Sequence, residues 1–346
     1  MASAMSVFEE PSMPPSAPDL HEGGQIRRCE PLVISASRAT DIPAFHGDWF
    51  MGRLRAGFCR RRNPCNSRQE SLISFAKTRV FVFWTKHPAA FLPHLPEIEA
   101  SGRQFYFQYT LNDYTSEQLE PRLPSLSRRL DTFRRLADTI GPQRVIWRFD
   151  PLILGPQLCV DRLLERVDRI GRILSPFTDK FVFSFVDMYR KTRCALRKAN
   201  PELRAPSEEE MRELARGIAA LNVSWPRTLA LAACAEALDM RPLGIARNKC
   251  IDDALIARLC PYDPDVQKAL APRPRQAALV SVQKAGGPGD RGQRAACGCI
   301  PSRDIGAYNT CPHGCIYCYA NLSEKKVLDN MTLCRRSPEE RESLLP

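Results

Sequence analysis

Short β-rich runs alternate with runs of helical spacing along the middle of this chain, and that alternation limits its fold more than any other feature. The strand candidates are Leu32–Ala36, Val80–Trp84, Gln104–Tyr109, Val145–Phe149, Lys180–Val186 and Thr228–Ala233. Helix candidates stand between them at His46–Ala56, Leu126–Thr139, Val160–Leu174 and Pro206–Leu221. Within Arg128–Ala137 the apolar residues fall at 130, 133, 136 and 137, the spacing of one helix face. Strands separated by helices of this length imply βαβ units and a parallel sheet. No Gly-rich dinucleotide fingerprint accompanies the units, so the expected class is α/β with a TIM-like (βα) barrel rather than an open sheet.

The strand candidates share a second property. Each apolar run stops at polar or charged residues: SASRATD (Ser35–Asp41), FWTK (Phe83–Lys86), QYTLND (Gln108–Asp113), WRFDP (Trp147–Pro151), SFVDMY (Ser184–Tyr189) and ACAE (Ala233–Glu236). Any strand ends in loop residues, and one such ending means little. In a parallel barrel, however, all C-terminal strand ends meet on the face that carries active sites. Arg38, Asp41, Trp84, Lys86, Arg148, Asp150, Asp187 and Glu236 are therefore the candidate lining of a substrate or cofactor pocket. Arg38 and Asp41 fit an ion pair at the barrel rim and a substrate contact equally, and a Lys or Arg there suits a carboxylate or phosphate.

The longest wholly apolar stretch, Leu229–Ala235, is far below the ~18 residues of a membrane span. The opening MASAMSVFEEPS is acidic and has no long apolar core, which argues against a secretory signal. A cytoplasmic protein is expected, and there thiols stay reduced. Of the 14 cysteines, six (Cys297, Cys299, Cys311, Cys315, Cys318 and Cys334) fall in the last 50 residues. Clustered reduced cysteines point to metal or redox chemistry before disulfides.

Composition divides the chain further. Residues 1–30 are Pro-rich and aperiodic and read as a disordered extension; 31–263 form the barrel body; 264–296 read as a flexible linker or long loop; 297–346 form a cysteine-rich iron–sulfur segment packed on the barrel. The net charge of +11 and the arginine run 53, 55, 60, 61, 62 and 68 permit an anionic partner, nucleic acid included, although a solvated helix face is the simpler account.

The sharpest motif is Cys311-Pro-His-Gly-Cys315-Ile-Tyr-Cys318. Three thiolates on one tight loop can hold three irons of a [4Fe–4S] cube, leaving the fourth iron without a protein thiolate. Spacing alone leaves zinc open, with His313 or Cys334 as a fourth ligand. Cys234, Cys250, Cys297 and Cys299 are candidates for a second iron–sulfur cluster; the alternative is that Cys234 is a small core residue and the CGC pair is incidental.

The stretch NTCPHGCIYCYAN (Asn309–Asn321) resembles the signature loop of the radical S-adenosylmethionine (SAM) superfamily. That resemblance implies that Cys311, Cys315 and Cys318 ligate the cluster, that the open iron binds SAM, and that Tyr317 packs near its adenine, with Asn309 beside the cofactor. It also implies cleavage of SAM to a 5′-deoxyadenosyl radical that abstracts hydrogen from substrate, with an electron donor such as a flavodoxin or ferredoxin. ISASRATDIPAFH (Ile34–His46), RNPCN (Arg62–Asn66), VFWTKHPAAFLPHL (Val82–Leu95), IGPQRVIWRFDPLIL (Ile140–Leu154), FSFVDMYRK (Phe183–Lys191) and KCIDD (Lys249–Asp253) together resemble one bacterial family, domain-of-unknown-function family 1848. Its members carry a C-terminal cysteine cluster similar to the radical SAM one. In the wider superfamily the cysteine loop follows the first strand. Here it follows the last candidate, DIGAYNT (Asp304–Thr310), which implies a circularly permuted barrel. A GGE-like segment, which holds the SAM amino group in many relatives, is absent. The expected function is a radical SAM enzyme of unassigned reaction; the alternative is a non-enzymatic zinc or iron–sulfur module on a barrel that binds a small anion or nucleic acid.

Overall fold

The computed structural model describes residues 26–63, 66–271 and 297–345. In chain order the elements are β1 (Ile26–Cys29), β2 (Val33–Ala36), α1 (Ile42–Phe45), α2 (Gly47–Ala56), β3 (Phe58–Asn63), β4 (Asn66–Ser74), β5 (Val80–Thr85), α3 (Leu95–Ala100), β6 (Gln104–Thr110) and α4 (Leu126–Ile140). There follow β7 (Val145–Leu152), α5 (Val160–Leu174), β8 (Lys180–Phe185), α6 (Arg190–Ala199), α7 (Glu208–Ser224), β9 (Ala230–Ala233), β10 (Ala246–Arg247), α8 (Asp253–Leu259), α9 (Pro264–Leu270), β11 (Arg303–Asp304) and α10 (Glu324–Cys334).

Eight strands form one sheet in the order β10-β9-β8-β7-β6-β5-β2-β11. Every pairing in it is parallel. The fold is thus mixed α/β with a large parallel sheet, as the strand–helix alternation predicts. Beyond the two edge strands, the Ile300 N–H donates to the Ile251 carbonyl at 3.2 Å, tying the segment before β11 to the segment after β10.

Side chains alternate across a strand, so each strand feeds two cores. On one face Phe81, Phe83, Phe105, Phe107, Trp147, Phe181 and Phe183 pack against Phe50 of α2, Phe133 of α4, Ile170 of α5 and Ile218 of α7. On the other, Val33, Val80, Val82, Tyr106, Ile146, Val182 and Ala232 pack with Leu255 and Ile256 of α8 and Val266 of α9. Burial on both faces explains why these strands read as continuous apolar runs. Two residues further along, this second face turns polar at Ser35, Trp84, Gln108, Arg148, Ser184 and Cys234. The polar layer therefore sits toward the C-terminal strand ends.

β1, β4 and β3 form a separate three-stranded sheet, with β3 and β4 antiparallel. Of the extension expected over 1–30, Ile26–Cys29 is a strand, and residues 1–25 lie outside the described residues. Of the linker expected over 264–296, Pro264–Leu270 is helix α9 with its Asp263 cap, and 272–296 lie outside the described residues. The strand expected over Asp304–Thr310 is shorter: only Arg303–Asp304 pairs, with Ile34–Ser35, before the chain turns away. No helix among the described residues is long and apolar enough to cross a membrane.

Candidate functional site

The cysteine loop is fixed to the sheet by one carboxylate. Asp304 accepts hydrogen bonds from Ser35 Oγ (2.9 Å), Ser37 Oγ (2.8 Å), the Arg38 N–H (2.8 Å) and the Gly306 N–H (3.0 Å). Gly306 passes so close to β2 that a Cβ there would lie 2.0 Å from Ser37 Oγ. This explains why the strand stops after two residues: Asp304 takes the donors at the end of β2, and the glycine lets the chain cross it.

The loop then crosses the C-terminal strand ends. Asn309 holds a left-handed conformation (φ 60°). Its side-chain oxygen accepts the Leu322 N–H, and its carbonyl accepts Asn330 Nδ2 at 3.0 Å. Asn321 Nδ2 bonds the Cys311 carbonyl at 2.7 Å, and the Ile316 N–H bonds Leu119 O at 3.0 Å. Asn309 thus shapes the loop from behind; its side-chain oxygen is engaged there. Gly314 (φ 73°) supplies the turn between the first two cysteines, where a side chain would be strained.

Cys311, Cys315 and Cys318 are half-buried and stand close enough that each feels the others' charge. Burial first, then Asp41 and Cys315, push the Cys311 thiol far up. Burial pushes Cys315 up to about 12 against the opposing pull of Lys86. Cys318 Sγ accepts the Ala320 N–H at 3.3 Å.

Tyr317, between the second and third cysteines, enters a buried polar network. Its hydroxyl donates to Glu120 and accepts from Lys86 Nζ and Asn112 Nδ2, both at 3.0 Å. Lys86 Nζ also lies 2.7 Å from Glu120 Oε1, with side chains 16% and 3% exposed. Asn112 Nδ2 reaches the Asp150 carbonyl at 3.1 Å. The Asp150 carboxylate is held by Arg148 and Ser184. Arg148, only 2% exposed, also bonds Gln108 Oε1 at 3.2 Å and lies 5.3 Å from the Trp84 ring centre. Arg38 lies 5.7 Å from the same ring, whose Nε1 donates to Ser35 Oγ at 3.1 Å.

Asp41 is a second hub. It caps α1 through the Ala44 N–H (3.0 Å), accepts the Lys86 N–H (2.7 Å), and bonds His313 Nε2 (2.8 Å). Burial raises its pKa, but the His313 contacts and further hydrogen bonds outweigh that and leave it below the ordinary value. His313 Nδ1 is buried with no partner among the described residues. The other proposed fourth ligand, Cys334, instead donates to Leu344 O at 3.2 Å.

The polar strand ends thus bring Arg38, Asp41, Trp84, Lys86, Arg148 and Asp150 together with the loop. Glu236 turns back to accept the Phe185 N–H at 3.0 Å, and Asp187 is exposed beyond β8. Glu120 and Asn112 complete the network: Asn112 lies within the QYTLND run but outside the candidate lining, and no motif flags Glu120. Lys191 adds a cation beside Cys318: its Nζ is shut off from solvent and has no hydrogen-bond partner among the described residues.

The second thiol set also comes together. Cys234 Sγ and Cys250 Sγ are 3.4 Å apart. Cys299 Sγ accepts the Cys250 and Ile251 N–H groups at 3.1 and 3.3 Å, with Cys297 two residues before it. Among the described residues, no three His, Cys, Asp or Glu side chains already surround a common point as a metal site. As donor chemistry, however, three adjacent soft thiols on one turn suit an iron–sulfur cluster, and an unpaired buried amine beside them suits a carboxylate-bearing ligand.

No curated protein and no solved structure matches this chain. A family model for a domain of unknown function, DUF1848, matches residues 33–320, from β2 through the whole cysteine loop. β11 with its Asp304 contacts, the loop and the polar strand ends all lie inside that span, and the chain belongs to the DUF1848 family.

Proposed function

We propose that this protein is a radical SAM enzyme whose [4Fe–4S] cluster is held by Cys311, Cys315 and Cys318. The observation that carries the proposal is the joint placement of these three thiols and Tyr317 at the polar end of a parallel sheet. When bound, the cluster and SAM supply a one-electron cleavage that yields a 5′-deoxyadenosyl radical for hydrogen abstraction. The chain's own residues do the positioning. Lys86 favours the thiolate of Cys315. Asn112, Glu120 and Lys86 fix the Tyr317 ring, which meets Tyr114 edge-on at 6.4 Å between centroids. Lys191 offers its unpaired ammonium to a carboxylate beside Cys318. Arg38, Trp84, Arg148 and Asp150 line the neighbouring polar layer as substrate contacts. The sheet would be a permuted TIM-like barrel with β11 as its closing strand, a reading supported by the Ile300–Ile251 bond between the segments flanking its two edges.

One observation favours a second reading. His313 has Nε2 on a carboxylate and an unpaired buried Nδ1. Metal-bound histidines commonly show this carboxylate-backed arrangement, so a zinc site of Cys311, Cys315, Cys318 and His313 is the competing assignment. Anaerobic reconstitution with iron and sulfide separates the two. The radical SAM reading expects iron and sulfide bound and 5′-deoxyadenosine formed on reduction with SAM, both lost in Cys315→Ala. One zinc in this loop, no iron and no 5′-deoxyadenosine would overturn it in favour of zinc.

A further inference from the structure

Four cysteines outside the loop are brought to one place by three separate parts of the chain. Cys234 follows β9, Cys250 follows β10, and Cys297 and Cys299 lie on the segment that leads into β11. Cys234 Sγ and Cys250 Sγ lie 3.4 Å apart, Cys299 Sγ sits on the Cys250 backbone, and Cys297 is the half-exposed member of the set. Backbone and side-chain N–H groups point at two of the sulfurs. The Cys250 and Ile251 N–H groups point at Cys299 Sγ, at 3.1 and 3.3 Å. Asn248 Nδ2 and Arg148 Nη1 point at Cys250 Sγ, at 3.1 and 3.2 Å. Four N–H donors, one of them on a buried guanidinium, converge on two sulfurs.

We propose that Cys234, Cys250, Cys297 and Cys299 bind a single zinc ion that staples the β11 end of the parallel sheet to its β9–β10 end. Spacing selects a single ion. Tetrahedral zinc–sulfur bonds of about 2.3 Å set neighbouring sulfurs about 3.8 Å apart, close to the 3.4 Å between Cys234 Sγ and Cys250 Sγ. A four-iron cube interposes iron and sulfide between its cysteines and would force these sulfurs apart. Binding replaces four S–H protons by one Zn²⁺, releasing four protons and leaving a centre of net charge −2. Arg148 and the other three N–H donors offset that charge. The ion would reinforce the Ile300–Ile251 backbone bond, the described contact between the same two segments.

The test uses the full-length chain purified from zinc-supplemented cells, beside a loop variant carrying Cys311→Ala, Cys315→Ala and Cys318→Ala. That variant removes the radical SAM site and leaves the four-thiol site untouched. The expected result is one zinc per chain in both proteins, with an X-ray absorption edge fitted by four sulfurs at about 2.3 Å. Cys234→Ser/Cys250→Ser should lose that zinc. Cys297→Ser, which alters the half-exposed member of the set, should keep its circular dichroism and weaken zinc at least tenfold against a competing chelator. Absence of zinc from the loop variant overturns the proposal. So does iron with sulfide at these four cysteines, or a Cys234–Cys250 disulfide in protein that takes up no zinc.

Discussion

Lys86 is the residue on which the candidate site turns, because it touches both the cysteine loop and the sheet. Its ammonium joins Glu120 and Tyr317, and its backbone N–H joins Asp41. Burial pulls its pKa down, but the charges of Glu120 and Cys315 outweigh that and hold it above 10.5. Burial likewise raises Glu120, yet Lys86 and the Tyr317 hydroxyl leave it below 4.5. The signs follow from these directions. The Glu120 contribution to stability is complete above 4.5 and is lost as the pH falls through its lower folded value. The Lys86 contribution is complete below 10.5 and is lost as the pH rises through its higher folded value. Lys86→Met takes the nearer cation from the buried Glu120 carboxylate, leaving Arg129 Nη1 at 3.8 Å, and should cost about 1–3 kcal/mol in urea unfolding. The double change Lys86→Met/Glu120→Gln should recover part of that loss. Tyr317→Phe removes one hydroxyl shared by three partners and should cost about 1–3 kcal/mol; an unchanged midpoint would mean that the network does not position the ring. Lys191→Met should weaken SAM binding at least tenfold while iron and sulfide content stays at the wild-type level.

At the scale of elements, β11 does more than its two residues suggest. Asp304 holds four donors of β2 and its own turn. Asp304→Ala should therefore cost about 1–3 kcal/mol in stability and lower iron loading in parallel, since the loop follows directly. Thermal melts and iron analysis of the same preparations check both. Gly306→Ala should do the same through the 2.0 Å clash with Ser37. This element was poorly legible in the sequence. A two-residue strand has no periodicity, and DIGAYNT looks like a longer one because what ends it, a carboxylate reaching the neighbouring strand, is tertiary. The central strands were legible for the opposite reason: Val80–Thr85, Gln104–Thr110 and Lys180–Phe185 are buried on both faces and almost wholly apolar. The hairpin of β3 and β4 was hidden because its arginines read as a charge run. In the fold they are anchored: Arg60 pairs with Glu70 and Glu342, and Arg61 bonds the Gly306 carbonyl.

Across the whole molecule, the C-terminal segment wraps back onto the start of the chain. Arg53 Nη2 bonds Glu339 O at 2.7 Å, Trp49 Nε1 bonds Arg341 O at 3.0 Å, and the Arg60 N–H bonds Glu342 O at 2.7 Å. Ending the chain after Pro338 leaves those donors without partners, at about 1–3 kcal/mol for each buried one, and should lower the unfolding midpoint clearly. The candidate site was legible in part. The three loop cysteines, Lys86, Arg148 and Asp150 were visible because they end apolar runs or share a motif. Glu120 and Asn112 were not, because they lie in the irregular stretch between β6 and α4 and reach Tyr317 only through the fold. The central claim is that the 311–318 loop holds a [4Fe–4S] cluster with one iron open to SAM. Electron paramagnetic resonance of the reduced, reconstituted protein, recorded with and without SAM, tests it most directly. The account predicts a cluster signal that changes when SAM is added and is missing in Cys315→Ala. A signal identical with and without SAM, or one that survives Cys315→Ala, would contradict it.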